Sequence, residues 1–345
     1  MHTLKTGEMY LATLKMVAKK ANVSVMTVSR VLNNPEFVSD KTKERVLRAI
    51  RELDYQPNEA ARIMKGKRSN ILGVLIPDLE NPLHCRFMDL LEETVTPLGY
   101  RLLIASSSAS SSLIENLKYM LSRNVDAIVI SSCSGISEAS QYIIKSQINV
   151  PLVIIDKVEP EGIINSVYTN GFLGTKQIVD YLVSLGHRKI AMIKGAKGYQ
   201  ITNDRFSGYQ AAMQAHGLPI EPAYVYRGDY TIQSGILAAN YFLSLEDPPT
   251  AIVAPSDLIA VGAMHAIQAQ GYRIPEDFSV TGCDGIYLAD LTTPTLTTFV
   301  FSIKDVAQKV TDIIINELEN RKAESVTAVF EGSLKIGGST GIPRE

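Results

Sequence analysis

Tryptophan is absent from this chain of 345 residues, and cysteine occurs only three times, as Cys85, Cys133 and Cys283. Without tryptophan there is no indole platform on which a sugar ring could stack. The three cysteines make neither a CxxC nor a zinc spacing, and their odd count argues against a disulfide framework. Buried or half-buried thiols in a reducing cytosol are the expectation. No run of 18 apolar residues occurs, so no membrane span is expected. Met1 to Tyr10 hold no apolar core followed by a small-residue cleavage site, and secretion is not expected. The phosphate cradles G-x-G-x-x-G and G-x-x-x-x-G-K-[ST] are missing, as are the G-x-S-x-G elbow and H-E-x-x-H. With no visible nucleophile–base set, an enzyme is not expected, nor a cofactor, nor a metal site.

What is present is an ordinary globular balance, 46% hydrophobic and 20% charged, in a chain long enough for two or three domains. The small net charge of −2 conceals an asymmetry. Residues 1–70 carry 14 Lys and Arg against 7 Asp and Glu, whereas the remainder carries 20 against 29. A basic end on an acidic body implies that only that end meets a polyanion.

Helix signals are dense in that basic end. Thr13 is a candidate N-cap, followed by Leu14, Val17, Ala18 and Ala21 at helical spacing. Asn22-Val23-Ser24 breaks the pattern, and Ser24 can cap a second helix that turns Val28, Val31 and Leu32 inward. A third periodic stretch starts near Ser39, carries Val46, Leu47, Ile50 and Leu53, and stops before Pro57. Such a bundle presents its second helix outward, with Val25, Met26, Thr27, Ser29 and Arg30 on the open face. A helix fits the DNA major groove, where arginine pairs with guanine and apolar tips touch thymine methyls. On pattern and charge alone a three-helix protein-binding module stays open.

The residues themselves narrow the choice. Thr13 to Met64 closely resembles the DNA-binding head of the lactose repressor/galactose repressor family, most specifically in Val28-Ser29-Arg30-Val31-Leu32-Asn33 and Tyr55-Gln56-Pro57-Asn58. The likeness continues through almost the whole chain. It implies base reading by Val25, Met26 and Arg30, with Thr13, Ser24, Thr27, Ser29, Asn33 and Tyr55 meeting phosphates or supporting the helix. Asn58 to Met64 matches the family's hinge helix, so Asn58, Ala61, Met64 and Lys65 join the expected DNA face. The family wedges a leucine into the minor groove at the position of Met64; methionine is apolar and flexible enough to do the same. Lys65-Gly66-Lys67-Arg68 reads as a basic tether.

From Ile71 onward short apolar runs alternate with amphipathic helical stretches, the pattern of βαβ units on a parallel sheet. Runs are read at Ile71–Pro77, Arg101–Ala105, Asp126–Ile130, Leu152–Ile155, Lys189–Ile193, Ala251–Ala254 and Phe278–Thr281. Length suggests two such sheets, with a second cycle beginning at Lys189. The expected fold is therefore multidomain: an all-α helix-turn-helix head plus a two-lobed α/β sensor with parallel sheets, like a periplasmic binding protein. The expected divisions are a head over 11–57, a hinge and linker over 58–69, and an effector-binding and dimerisation domain over 70–342 whose chain crosses between lobes.

By resemblance, Arg205 in Thr202–Tyr209 holds the effector, and Asp284 after the strand ending in Val280-Thr281-Gly282 meets it too. Ser256 and Asp257, in the loop after a strand, and Leu83 and His84, beside the first strand, complete the expected effector site. Tyr199 and Phe172 are possible stacking partners. Cys283, Gly285, Lys157 and Thr169-Asn170 depart from the family pattern, so the effector cannot be copied from a relative. No leucine heptad follows Gly341, which leaves a homodimer as the expectation, and a two-fold dimer demands a pseudo-palindromic DNA site. A cytosolic regulator of DNA, controlled by a small carbohydrate-like effector, is the reading; a regulator needing a co-effector or protein partner, and a sugar-binding protein, stay open.

Overall fold

The computed structural model describes residues 12–55, 68–107, 112–320 and 324–344. The chain divides into two compact units, Met1–Ser69 and Asn70–Glu345.

The first unit is built from three helices whose ends follow from local chemistry. In α1 (Leu14–Ala21) the Thr13 hydroxyl accepts a hydrogen bond from the Met16 N–H at 3.3 Å, and Asn22 closes the helix in the left-handed conformation at φ 51°. In α2 (Val25–Asn33) the Ser24 hydroxyl accepts from the Thr27 N–H at 3.0 Å. The third helix, α3 (Asp40–Glu52), turns Val46 and Ala49 inward. Val17, Val28 and Val46 are fully buried at the junction of the three helices. Leu47, read as a core position, is 37% exposed instead, because Val46 and Ala49 take the inward face.

The second unit holds two six-stranded sheets. The first runs in the order β11-β5-β4-β3-β1-β2, made of β1 (Ile71–Ile76), β2 (Arg101–Ser106), β3 (Ala127–Ser131), β4 (Leu152–Ile155), β5 (Asn165–Thr169) and β11 (Thr327–Phe330). All its pairings are parallel. The second runs β12-β10-β9-β8-β6-β7, from β6 (Ile190–Lys194), β7 (Val225–Arg227), β8 (Ala251–Val253), β9 (Ser279–Asp284), β10 (Thr297–Val300) and β12 (Ser333–Lys335). Only its β10–β12 pair is antiparallel.

Helices cover both faces of each sheet, which is why the central strands are apolar without alternation. In β1, Leu72, Val74 and Ile76 face one core while Leu75 faces another, and all four are fully buried.

The chain passes between the lobes three times. After β5, α7 (Gly171–Ser184) packs Ile178, Val179 and Leu182 against Ile190 and Met192 of the second lobe. After β10, α11 (Ile303–Glu319) returns and packs Val306, Val310 and Ile314 against Leu72 and Val74 of the first. The last passage separates β11 from β12. The second lobe therefore begins at α7, upstream of the cycle expected from Lys189.

Within the second lobe, α9 (Ile232–Leu243) and α10 (Asp257–Ala269) touch backbone to backbone. A Cβ on Gly235 would lie 2.0 Å from the Ile259 carbonyl oxygen, and one on Gly262 would lie 2.1 Å from that of Ile232. Neither carbonyl can retreat without breaking a helix. We expect Gly235→Ala to destabilise this unit by about 1–3 kcal/mol, the usual cost of forcing atoms into a packed site. Urea unfolding of the variant and its parent checks this, and coincident midpoints would show that the helices can separate freely.

Candidate functional site

Two surfaces carry the residues singled out by sequence. On the first unit, α2 presents Met26 at 67% exposure and Val25 at 41%, with Arg30 exposed beside them. Among the described residues no hydrogen bond or ion pair engages the Arg30 guanidinium. A shallow groove is lined by Met26, Ser29, Arg30, Asn33, Asn34 and Phe37. Phe37 is 76% exposed at the rim of this face and was not anticipated.

Other expected DNA residues already have local work. Ser24 and Thr27 join their hydroxyls at 2.9 Å, and the Asn33 amide donates to the Ser29 carbonyl at 2.7 Å. Thr13 caps α1. Tyr55 is 8% exposed and packs in the small core, where it supports the helices. Asn58, Ala61, Met64 and Lys65 lie outside the described residues.

The second surface is a cavity of about 120 Å³ between the two lobes. At 10–15 Å³ for each water, that is room for roughly eight to twelve. It sits at the carboxyl ends of the strands, where α/β sheets receive ligands. Asp78 follows β1, Ser131 and Ser132 end β3, Asp156 follows β4, Thr169 ends β5 and Asp284 ends β9.

The cavity brings together four of the six expected effector residues: Leu83, His84, Arg205 and Asp284. Leu83 and His84 occupy the first turn of α4 (Pro82–Val95), which Asn81 caps. His84 is buried there and lies 3.8 Å from the Asp78 carboxylate. Burial lowers its pKa, with Asp78 opposing.

Arg205, on α8 (Gln200–Ala215), is 5% exposed. Its Nη2 donates to Asp284 Oδ1 at 2.8 Å and its Nη1 donates to the Pro255 carbonyl. Burial works against its charge, and Cys283, Asp284 and Tyr230 beside it together more than offset that, so its pKa lies above the ordinary arginine value. Nε is buried without a partner. Asp284 holds φ at 115°, a region non-glycine residues rarely enter and one that clusters at functional sites. Burial pushes its carboxyl up, and Arg205 opposes.

Asp156 was missed. It is 3% exposed, accepts from its neighbour's N–H (Lys157) through Oδ1 at 2.8 Å, and leaves Oδ2 buried without a partner. Burial, with Asp204 nearby, raises its pKa to about 7. The sequence does carry a signal: an acid immediately after the apolar run Leu152–Ile155, at the end of a strand as Asp284 is at the end of β9. Tyr230 was missed as well; its hydroxyl meets that of Thr202 at 2.9 Å, and its ring stands edge-on to Tyr199 with centroids 5.5 Å apart. Tyr199 lines the cavity as expected, whereas Phe172 does not.

Ser256 and Asp257 are not brought into the cavity. Ser256 caps α10, accepting from the Ile259 N–H at 3.4 Å. Asp257 is fully buried behind Asp284, where its carboxylate accepts from the Ile286 N–H at 2.8 Å and the Thr298 hydroxyl at 2.5 Å. Both are fasteners of the second lobe. The cysteines are free, Cys133 and Cys283 buried and Cys85 half-buried. Among the described residues there is no cluster suited to a metal ion, and no helix long and apolar enough to cross a membrane.

A groove-sized helix on a basic unit, attached to a two-lobed cavity, defines a ligand-sensing DNA regulator. Comparisons with known proteins agree. Residues 13–58 match the bacterial regulatory proteins of the lacI family, and residues 179–340 match the periplasmic binding protein-like domain. The chain is 31% identical to the ribose operon repressor of Haemophilus influenzae, over 93% of this chain and 96% of that one. It is likewise 31% identical to the HTH-type transcriptional repressor CytR of Escherichia coli, over 95% and 96%. The lac repressor dimer bound to operator and the anti-inducer ONPF superposes with a TM-score of 0.85 at 27% identity, covering 96% of this chain and all of that one. The chain belongs to the lacI family of bacterial regulatory proteins. It is a DNA-binding transcriptional regulator with a small-molecule sensor, from a family of repressors rather than of enzymes.

Asp257 offers a test of its fastening role. Burial, followed by Asp284, raises its pKa to about 7 from the ordinary 3.8. Between those values the folded chain keeps a proton that the unfolded chain releases, so this group's contribution to stability falls as pH rises through that window. Asn cannot ionise. We therefore expect Asp257→Asn to gain stability relative to its parent from pH 4 to pH 7, at up to about 1.4 kcal/mol per unit. Thermal unfolding across that range checks it; a difference independent of pH would mean that the carboxyl titrates normally.

Proposed function

We propose that this regulator is a repressor that acts as a homodimer in the cytosol, where the DNA is. It binds a pseudo-palindromic double-stranded operator, and a small carbohydrate-like effector held between the lobes sets its affinity. Residues 11–57 form the DNA-binding head, 58–69 the hinge and linker, and 70–342 the effector-binding and dimerisation domain. The observation that carries this reading is the cavity itself. It is lined from both lobes, and it keeps two buried polar atoms, Asp156 Oδ2 and Arg205 Nε, without partners. Buried polar atoms are normally satisfied, and exceptions in a cleft point to an absent ligand. The names of the relatives, a ribose operon repressor among them, support a sugar-like effector.

The mechanism follows from where those atoms sit. Asp156 belongs to the first lobe and Arg205 to the second, so a ligand that satisfies both binds the closed arrangement better than the open one. That differential affinity is all that a population shift requires. Closure changes the geometry of the dimer's two 58–69 segments and hence the fit of its two heads to the operator. In each head α2 enters the major groove. Val25, Met26 and Arg30 read base edges there, and Thr13, Ser24, Thr27, Ser29 and Asn33 hold the helix or meet phosphates. Asn58, Ala61, Met64 and Lys65 serve the minor groove between the heads.

Selection of bound sequences from random duplex DNA by the full-length protein tests the operator. An inverted repeat lost steeply with rising salt is expected, whereas enrichment of single, unpaired half-sites would remove the homodimer from this reading. On the selected site, Arg30→Ala should cost about 1–3 kcal/mol and relax the preference at one position of each half. An equal loss on every sequence would make Arg30 a phosphate contact instead. Arg205→Ala should abolish the effector's influence on operator affinity while leaving the affinity itself in place, as read by fluorescence anisotropy. An undiminished response would take Arg205 out of the effector site.

A further inference from the structure

We infer that the sensor cavity admits a polyhydroxyl ligand bearing no anionic group and rejects the phosphorylated or acidic form of the same molecule. This rests on the reading of the cavity as the effector site.

The charge on the cavity wall is one-sided. Asp78, Asp156, Asp204 and Asp284 all line it, against a single guanidinium, that of Arg205. A lone arginine in a binding cleft ordinarily advertises a carboxylate or phosphate. Here that arginine is already engaged. Its Nη2 is on Asp284 at 2.8 Å, its Nη1 is on the Pro255 carbonyl, and Nε is buried without a partner. An incoming anion would have to share that guanidinium with Asp284, inside a buried ion pair that has 6% and 4% side-chain exposure.

No other cation on the wall takes over. His84 is held toward its neutral form, chiefly by burial. Lys157, next to Asp156 in sequence, turns to Glu159 at 2.9 Å. Even with Asp156 protonated, three carboxylates face one guanidinium. An anionic ligand would meet like charge in a poorly solvated site, which disfavours its binding.

A hydroxyl group suits the same wall. It donates and accepts at once, so adjacent hydroxyls of one ring can serve both Asp156 Oδ2, as donors, and Arg205 Nε, as acceptors. Ser131, Ser132 and the Tyr230 hydroxyl add further polar partners. Between them Phe87, Ile155, Tyr199 and Phe301 offer apolar surface to the C–H faces of a ring. The wall is thus matched to an uncharged sugar, and an amine substituent would also be tolerated beside the carboxylates.

The test uses the full-length chain at neutral pH and matched probes: ribose and ribose 5-phosphate; glucose, glucosamine, glucuronate and glucose 6-phosphate; uridine and uridine monophosphate. Calorimetric titration reads affinity, and Arg205→Ala must abolish any binding assigned to the cavity. In each set that binds, the uncharged or amino member should be tighter than its anionic partner by about tenfold or more. Asp156→Asn and, separately, the half-buried Asp204→Asn should narrow that gap by weakening the repulsion. A phosphate or uronate that binds more tightly than its neutral counterpart, with binding lost in Arg205→Ala, overturns this inference and leaves the effector site standing. Silence from every probe at millimolar concentration overturns the carbohydrate-sensing reading and this inference together.

Discussion

A guanidinium taken out of water must be matched, because it cannot shed its proton. Arg205 imposes that requirement on the second lobe, and much of the local architecture answers it. Asp284 supplies the counter-charge at 2.8 Å, and to do so its backbone takes φ 115° at the end of β9. The Pro255 carbonyl at the end of the neighbouring strand takes a second N–H. Behind Asp284, Asp257 ties the loop after β9 to α10 and β10 through Ile286 and Thr298. Burial, followed by the Asp284 carboxylate, raises the pKa of Asp257, and a third acid, Asp156, lies across the cavity on the other lobe. The ion pair is therefore not a device for stability, since buried pairs seldom are. It fixes the orientation of a buried donor without a partner, Nε.

That donor and Asp156 Oδ2 belong to different lobes, and the connection between the lobes gives the difference its meaning. Three passages of chain allow rotation but little sliding, because α7 and α11 are each sunk into the core of the lobe they enter. Backbone contact between α9 and α10 leaves the second lobe no soft layer in which a ligand's influence could dissipate. Packed cores respond as whole bodies, not by continuous deformation. A ligand that spans the cavity thus acts on one coordinate, the angle between the lobes.

Much of this was legible in the sequence, and the gaps have physical causes. The caps at Thr13, Ser24 and Asn22 and the strands of the two sheet centres were readable because propensity, pattern and tertiary burial agree there. Strand β5, Asn-Ser-Val-Tyr-Thr, was not. Its polar side chains are buried and satisfied across the fold: Asn165 donates to the Leu152 carbonyl and Ser166 to that of Asp156. The short strands β7, β11 and β12 lie at sheet edges, where little apolar surface is needed. In α11 the apolar face is clear, but its lobe is not, since only the topology tells which sheet it returns to. At the site, family likeness led to Arg205 and Asp284 but also to Ser256 and Asp257, which sit one layer behind the wall. Residue type and loop position are identical for a ligand contact and for the fastener that supports it; burial alone separates them. Asp156 shows the converse, a wall residue that the strand-end rule would have reached had it been applied to every strand.

The same distinction governs the head. Its core is small, built around Val17, Val28 and Val46, and it leaves Met26 and Phe37 largely in solvent. Exposed apolar side chains on so small a unit add nothing to its core, and Met26 on α2 and Phe37 in the turn after it leave an apolar patch in solvent. Ser24 and Thr27 join hydroxyls at the start of α2, and the Asn33 amide donates to the Ser29 carbonyl. That orders the helix on its own, and among the described residues it leaves the Arg30 guanidinium without a hydrogen bond or ion pair. A face arranged in this way keeps its ordering within the helix and its exposed surface apart from it.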